Sequence, residues 1–85
     1  MRRNRKAGQR LRQLRKDLNL SMRDVHERSD KLASRKRNSD FRLAPSRLSD
    51  IECRGIVPNI FRLFALANAY DLPIQRLLAL YDLEE

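Results

Sequence analysis

The chain has 85 residues and a formal net charge of +8 at pH 7, enough for one small domain with a modest core. No apolar run approaches a membrane-spanning helix, no apolar stretch follows the N-terminal charges as in a secretory signal, and one cysteine with one histidine makes neither an internal disulfide nor a zinc site. We therefore expect a cytoplasmic protein without a metal, a cofactor or a small-molecule ligand.

Positive charge is concentrated in the first two thirds of the chain. Residues 1–55 contain seventeen basic and seven acidic side chains, a net charge of +10, whereas residues 56–85 contain two and four, a net charge of −2. Such an asymmetric field attracts a polyanion to the first part of the chain. Double-stranded DNA is the obvious candidate.

The chain opens with a basic segment and a first helix. Residues 1–6 carry four cations without periodicity and predict a flexible arm, which on DNA could follow the phosphates or enter the minor groove. Apolar residues at positions 7, 11, 14 and 18 predict a helix over residues 7–18. Asn19 suits the left-handed conformation that commonly ends a helix.

A second helix is predicted from Ser21 to about residue 36. The Ser21 hydroxyl and the Asp24 carboxylate are spaced for a capping box, and positions 22, 25, 29, 32 and 33 continue one face. Residues 35–40 lose this pattern and predict a basic loop. The alternation in residues 41–43 predicts a short extended piece with Phe41 and Leu43 directed inward.

Residues 45–55 predict a third helix with two different faces. Leu48 and Ile51 anchor one face, while Ser46, Arg47, Ser49 and Asp50 occupy the remaining surface. Proline 45 suits a first helical turn, and glycine 55 ends the segment. The N-cap is either alanine 44, with a contact between leucines 43 and 48, or the better capping residue Ser46.

Two further helices complete the chain. Asn59 is placed to cap a fourth helix with one face formed by Ile60, Leu63, Phe64 and Ala67, which positions 66, 69 and 70 widen, so that this helix is expected to be the most buried. After the break at residues 71–73, apolar positions 74, 77, 78 and 81 predict a fifth helix. The predicted fold class is all-α, with five helices and no strand.

Four segments in the right order resemble the phage-repressor/Cro-like (XRE-type) helix-turn-helix family. Residues 8–15 read GQRLRQLR before Asn-Leu-Ser at 19–21, residues 46–52 read SRLSDIE, and residues 58–67 and 72–78 match its last two helices in length and pattern. The resemblance covers roughly residues 7–80. It implies a repressor-like DNA-binding domain over residues 7–81, followed by a tail at 82–85.

The resemblance also implies a function and a set of residues. A family member of this kind would be a sequence-specific transcriptional regulator of double-stranded DNA, with the third helix in the major groove, acting as a possible homodimer. The implied structural ion pair is Arg15 with Glu52. The candidate DNA-binding residues are Ser46, Arg47, Ser49, Asp50, Met22, Arg23, Arg35, Lys36, Arg37 and Asn59.

The chain departs from the family pattern in three places. Met22 replaces the usual glutamine and cannot donate a hydrogen bond to DNA. His26 replaces the usual alanine between the second and third helices. An insertion at about residues 30–43 replaces the family's tight turn.

Several of these residues have two interpretations. Arg47 either reads guanine O6 and N7 or contacts phosphate, and Asp50 either accepts from cytosine or orients a neighbouring arginine. Ser46 and Ser49 either contact DNA or bond to their own helix. The run at 35–37 is either a phosphate clamp or a solvated loop. His26 is expected to be a packed residue without a partner, and cysteine 53 a small, partly buried one.

A different class of function is an interaction module, antitoxin-like or co-activator-like, with DNA binding secondary. Binding of duplex DNA at physiological salt discriminates between the two classes. An enzyme is not expected, because no catalytic constellation is present. Binding of RNA or single strands is not expected either, because the few aromatic residues lie on core faces.

Overall fold

The computed structural model describes residues 3–83, and in this range the predicted all-α fold is confirmed. The helices are α1 (Arg5–Asp17), α2 (Met22–Lys36), α3 (Pro45–Cys53), α4 (Ile60–Tyr70) and α5 (Ile74–Leu80), with a short 3₁₀ helix at Ser39–Phe41 between α2 and α3. Within the described range, β pairing is limited to one isolated bridge between Arg3 and Ile56.

The first helix begins two residues earlier than its apolar pattern predicts. The Asn4 side chain caps it by accepting a hydrogen bond from the Ala7 N–H at 3.0 Å, and the Asn4 N–H donates to the Gly55 carbonyl at 2.6 Å. Gly55 has a φ of +72°, and a Cβ there would lie 2.7 Å from the backbone nitrogen of Arg5. Residues 3–6 therefore belong to the fold rather than to the predicted arm, and residues 1–2 lie outside the described range.

The connection between α1 and α2 has the predicted chemistry. Asn19 is left-handed with a φ of 57°. The Asp24 N–H donates to the Ser21 hydroxyl at 3.0 Å, and the Ser21 N–H donates to the Asp24 carboxylate at 2.9 Å, which completes the capping box. The hydrogen bond that the Ser21 N–H donates is the largest cause of the lowered pKa of the Asp24 carboxyl, and the Ser21 side chain adds to it.

Helix α2 ends at Lys36, as predicted, but the predicted basic loop at residues 35–40 is shorter, because only residues 37 and 38 separate α2 from the 3₁₀ helix. Arg35 and Lys36 form the last turn of α2, and Arg37 caps it in the left-handed conformation with a φ of 52°. Cations in a last turn interact favourably with the negative end of the helix dipole, which explains why the helix continues through them. The predicted extended piece is also corrected, because Phe41 ends the 3₁₀ helix, although Leu43 is fully buried as expected.

The core lies where the five helices and Leu43 meet. Its fully buried large side chains are Leu11, Val25, Leu32, Leu43, Leu48, Ile51, Leu66 and Leu77. As predicted, α4 is the helix with the most buried residues, but its predicted face is rotated: Ile60 is 62% exposed and Phe64 is 41% exposed. Both residues form part of an apolar surface instead of the core.

Candidate nucleic-acid interface

One side of α3 is fixed in the core. Leu48 and Ile51 are 0% and 1% exposed, as their spacing predicts. Pro45 occupies the first turn, and Ala44 is the N-cap without any side-chain hydrogen bond. Of the two capping alternatives, the structure therefore has the one at Ala44, and Ser46 is free of that role.

The opposite side of α3 is open to solvent. Ser46 and Arg47 are exposed, and the Arg47 guanidinium makes no hydrogen bond or ion pair with any residue from 3 to 83. The Asp50 carboxylate lies 3.6 Å from the Arg54 guanidinium. Ser49 is half-buried, with its hydroxyl 4.0 Å from the sulfur of exposed Cys53.

Arg54 is a site residue that the sequence reasoning missed. Its side chain is 60% exposed at the C-cap of α3. It follows Arg47 by seven positions and Asp50 by four, so the three share one helix face. The spacing alone was a sufficient signal. The exposure of Cys53 likewise corrects its expected partial burial.

Behind α3, Arg15 and Glu52 form a bidentate buried ion pair. Arg15 Nε donates to Glu52 Oε2 at 2.7 Å and Nη2 donates to Oε1 at 3.1 Å. The Glu52 side chain is fully buried, and that of Arg15 is 10% exposed. Hydrogen bonding to Glu52 raises the pKa of Arg15 against the opposing effect of burial. A third bond, from Nη1 to the Leu20 carbonyl at 2.8 Å, ties the guanidinium to the start of α2.

The entry to α3 is held against α2 by polar contacts. His26 Nδ1 lies 2.8 Å from the Leu43 carbonyl oxygen, and the Leu43 N–H donates to the Ser29 hydroxyl at 2.9 Å. The Asp30 carboxylate lies 3.3 Å from His26 Nε2 and accepts from Arg42 Nε at 2.8 Å. The expectation that His26 has no partner is wrong, because its ring contacts Asp30 on the same helix and the Leu43 carbonyl in the connection that precedes α3.

The remaining candidates fall into two groups. Arg23 is 87% exposed in the first turn of α2 and lies 3.5 Å from Glu27. Asn59 caps α4 through its side-chain oxygen, which accepts from the Arg62 N–H at 2.9 Å, and is otherwise exposed. Met22, in contrast, is half-buried and packs against the core.

The three cations at the end of α2, at positions 35–37, lie in different surroundings. The Lys36 ammonium lies 5.8 Å from the centre of the Phe64 ring on α4, a cation–π arrangement. Arg35 is exposed and borders a shallow depression with Arg28, Lys31 and Asn68. Arg37 borders a second depression between α2 and the residues that return to α3.

Comparison with known protein families decides the relationship. The family model described as "Helix-turn-helix domain" matches residues 8–83, which is most of the chain. The chain belongs to the helix-turn-helix family. The match supports the phage-repressor/Cro-like (XRE-type) kind that the sequence motifs predict. No curated protein and no solved structure matches the chain.

The helix-turn-helix unit consists of α2, residues 37–44 and α3. Its connection is eight residues long and contains the 3₁₀ helix, so the placement of α3 depends on the contacts of Arg42 and Leu43 described above. None of the helices between residues 3 and 83 is long and apolar enough to cross a membrane. Over the same residues, no group of three or more potential side-chain metal ligands is present.

Proposed function

We propose that this helix-turn-helix domain is a sequence-specific transcriptional regulator that places α3 in the major groove of double-stranded DNA. One observation carries the proposal: Arg47 and the Asp50–Arg54 pair lie on one exposed face of a helix whose other face is buried. This face belongs to the part of the chain with a net charge of +10. A polyanion with an accessible groove matches both its charge and its shape.

Each exposed residue has a proposed role. Arg47, which has no partner among residues 3–83, is the reader of a guanine through O6 and N7. Asp50 holds Arg54, so that the second guanidinium is presented in a fixed position. Ser46 and Ser49 make short polar contacts along the same face.

The phosphate contacts are proposed to flank this helix. Arg23 at the start of α2 and the exposed amide of Asn59 at the start of α4 lie at helix N-termini, where backbone N–H groups favour an anion. Arg35 and Arg37, together with Lys36, supply positive charge at the far end of α2. Contacts of this kind give affinity for any duplex and do not distinguish sequences.

Arg47→Ala is expected to reduce affinity for a duplex selected from a random pool by about 1–3 kcal/mol and to relax the preference at one base pair. Arg35→Ala is the control, because a phosphate contact should weaken all duplexes alike and reduce the salt dependence. Binding is measured by fluorescence anisotropy over a salt series, and base preference by repeating the selection with each variant. An equal loss on every sequence for Arg47→Ala would remove its role in direct readout. Absence of any duplex binding would favour the protein-interaction module.

The regulator is proposed to act as a homodimer in the cytoplasm. Ile60 is exposed between two apolar depressions, one bordered by Phe61 and Phe64 and the other by Leu78 and Leu83. Leu83 is 66% exposed. Lys36 and Phe41 also border the first depression, but the rest of this apolar surface belongs to the segment with a net charge of −2. Two copies of a strongly basic chain therefore repel less here than on the rest of the surface. Such a dimer would read two half-sites about 34 Å apart.

Ile60→Glu is expected to abolish dimerisation, because it places two carboxylates at the centre of an apolar contact. Sedimentation equilibrium measures the mass of the protein in solution. Cooperative binding is measured by comparing the affinity for a duplex with one half-site to that for a duplex with two. Leu18→Glu is the control, since Leu18 is an exposed apolar residue at the end of α1 and outside this surface. A wild-type chain that stays monomeric on adjacent half-sites would contradict the proposed dimer.

A further inference from the structure

We propose that His26 and Asp30 are positioning residues for α3, and that they hold its entry most firmly when the His26 imidazole carries two protons. The proposal rests on the proposed function for its consequence at DNA, but its physical basis is a set of contacts within the domain. His26 and Asp30 lie one turn apart on α2, and they contact the two residues that precede the N-cap of α3: His26 contacts Leu43, and Asp30 contacts Arg42.

The proton count follows from the groups that face the ring. The Leu43 carbonyl, 2.8 Å from Nδ1, can only accept a hydrogen bond, so Nδ1 must carry a proton to satisfy it. The ionised Asp30 carboxylate, 3.3 Å from Nε2, is also only an acceptor. A neutral imidazole has one N–H and one lone pair, so it satisfies one of these partners and turns a lone pair towards the other.

Asp30 connects the ring to the chain entering α3 through a second contact. Its Oδ1 accepts from Arg42 Nε at 2.8 Å while Oδ2 faces His26. The carboxylate therefore lies between two cations when the imidazole is doubly protonated. Loss of the imidazolium leaves Asp30 paired with Arg42 alone, and that pair is substantially exposed to solvent.

Among residues 3–83, the other ion pairs of α2 and α3 do not involve the His26 ring. On α2, Glu27 lies near Arg23, with both side chains mostly exposed. On α3, Asp50 pairs with Arg54, and Arg47 is exposed. The charged residue of the 3₁₀ helix, aspartate 40, is exposed. Among the described residues, Asp30 is the charged group that contacts the His26 ring, and Arg42 is linked to the ring through Asp30.

The entry to α3 depends on this network because the helix has no side-chain cap of its own. Ala44 contributes only its backbone, and its carbonyl accepts the first helical hydrogen bond, from the Leu48 N–H at 2.9 Å. The preceding Leu43 is fixed on its N–H side by Ser29 and on its carbonyl side by His26. Weakening the carbonyl contact therefore loosens the first turn of α3, which carries Ser46 and Arg47.

The first test uses the free protein and does not require DNA. Amide hydrogen exchange of Leu43 and Leu48, corrected for the intrinsic exchange rate, is measured by NMR over a pH series that spans protonation of the His26 ring. Protection is expected to fall about three- to tenfold on deprotonation, the difference between a charge-assisted and a neutral hydrogen bond. Because His26 is the single histidine of the chain, its ring resonances report the titration without ambiguity.

His26→Asn is the matched variant. Its amide can still donate to the Leu43 carbonyl, but it does not titrate, so the protection of Leu43 and Leu48 should become independent of pH over this range. Asp30→Asn removes the carboxylate that faces the imidazolium, so the pH dependence of this protection should also become smaller. A flat wild-type profile, or an equal fall in His26→Asn, overturns the proposal.

The second test repeats the pH series with the duplex obtained by selection from a random pool. As the pH rises and the imidazolium loses a proton, the ratio of the affinity for this duplex to the affinity for a scrambled duplex should fall about three- to tenfold in the wild type. The same ratio should stay constant in His26→Asn. A loss common to both duplexes would reflect the charge of the imidazolium alone and would overturn the positioning role at DNA. If no duplex binds, the proposed function fails, while the exchange experiment still decides whether His26 positions α3.

Discussion

Glu52→Ala is expected to destabilise the domain by about 3–5 kcal/mol, the range for breaking a buried ion pair by removing one partner. The substitution leaves the Arg15 guanidinium nearly buried, with its two hydrogen bonds to Glu52 lost and only the Leu20 carbonyl remaining as an acceptor. For a chain of 85 residues, this is a large part of the total free energy of unfolding. Urea unfolding followed by circular dichroism measures it.

Two comparisons separate the buried charge from a general effect of losing a glutamate. Glu27→Ala removes a partner from the exposed Arg23–Glu27 pair, and a change of at most about 1 kcal/mol is expected there. The double variant Arg15→Met with Glu52→Leu removes both charges and fills the space with apolar groups. It should be more stable than Glu52→Ala, since replacement of a whole buried pair is often neutral or stabilising. Equal losses in the two glutamate variants would contradict this role of the pair.

The same pair explains how α3 keeps its position despite a long connection. Arg15 belongs to α1, Glu52 to α3, and the Leu20 carbonyl to the residue before the α2 cap. One guanidinium therefore joins the three segments that a helix-turn-helix must hold together. The C-terminal half of α3 is fixed by this pair, whereas its N-terminal end is held by the His26 and Ser29 contacts to Leu43.

Local patterns were sufficient to predict the helices and most of their ends. The capping box at Ser21 and Asp24, the left-handed Asn19 and the cap at Asn59 each depend on residues within four positions of one another. The hydrogen bonds that define these ends are short-range in sequence, so the sequence contains their determinants. The anchoring of α3 by Leu48 and Ile51 follows from the same kind of periodicity.

The buried face of α4 could not be predicted in this way. Apolar residues occur all round that helix, so Ile60 and Phe64 fit a helical period as well as Leu66 and Tyr70 do. Which face of α4 is buried depends on the elements that pack against it. The 3₁₀ helix places Phe41 against Phe64, at a centroid distance of 5.8 Å, and the Phe64 side chain remains partly exposed. Tertiary packing decides such cases.

The candidate site shows the same division. Its face on α3 follows from spacing, although Arg54 was overlooked because it lies at the C-cap instead of within the helix. One partner of His26 is Asp30, at the i,i+4 spacing that the sequence shows, and the other is the Leu43 carbonyl, seventeen residues further along the chain. A contact to a backbone carbonyl at that separation cannot be predicted from the pattern of side chains, because every residue has such a carbonyl. It depends on how the connection folds.

Gly8→Ala is expected to destabilise the domain, although the same change in an exposed helix stabilises it by about 1 kcal/mol through helix propensity. Gly8 is buried in α1, and a Cβ at this position would lie 2.6 Å from the carbonyl oxygen of Ile51 and 2.7 Å from that of Glu52. Both atoms are backbone, so no side chain can rotate away and α1 must separate from α3. Overpacking of this kind costs about 1–3 kcal/mol net.

Thermal unfolding of Gly8→Ala and of Gln9→Ala measures the effect of the contact, because Gln9 is the exposed neighbour on the same turn. Gln9→Ala should leave the stability nearly unchanged, and a stabilised Gly8→Ala variant would show that the helices can part without loss. The methyl group is also expected to displace the α3 backbone at Glu52, whose side chain pairs with Arg15. Gly8→Ala and Glu52→Ala are therefore expected to be non-additive, with the double variant losing less than the sum of the two, because a displaced Glu52 already pairs poorly with Arg15.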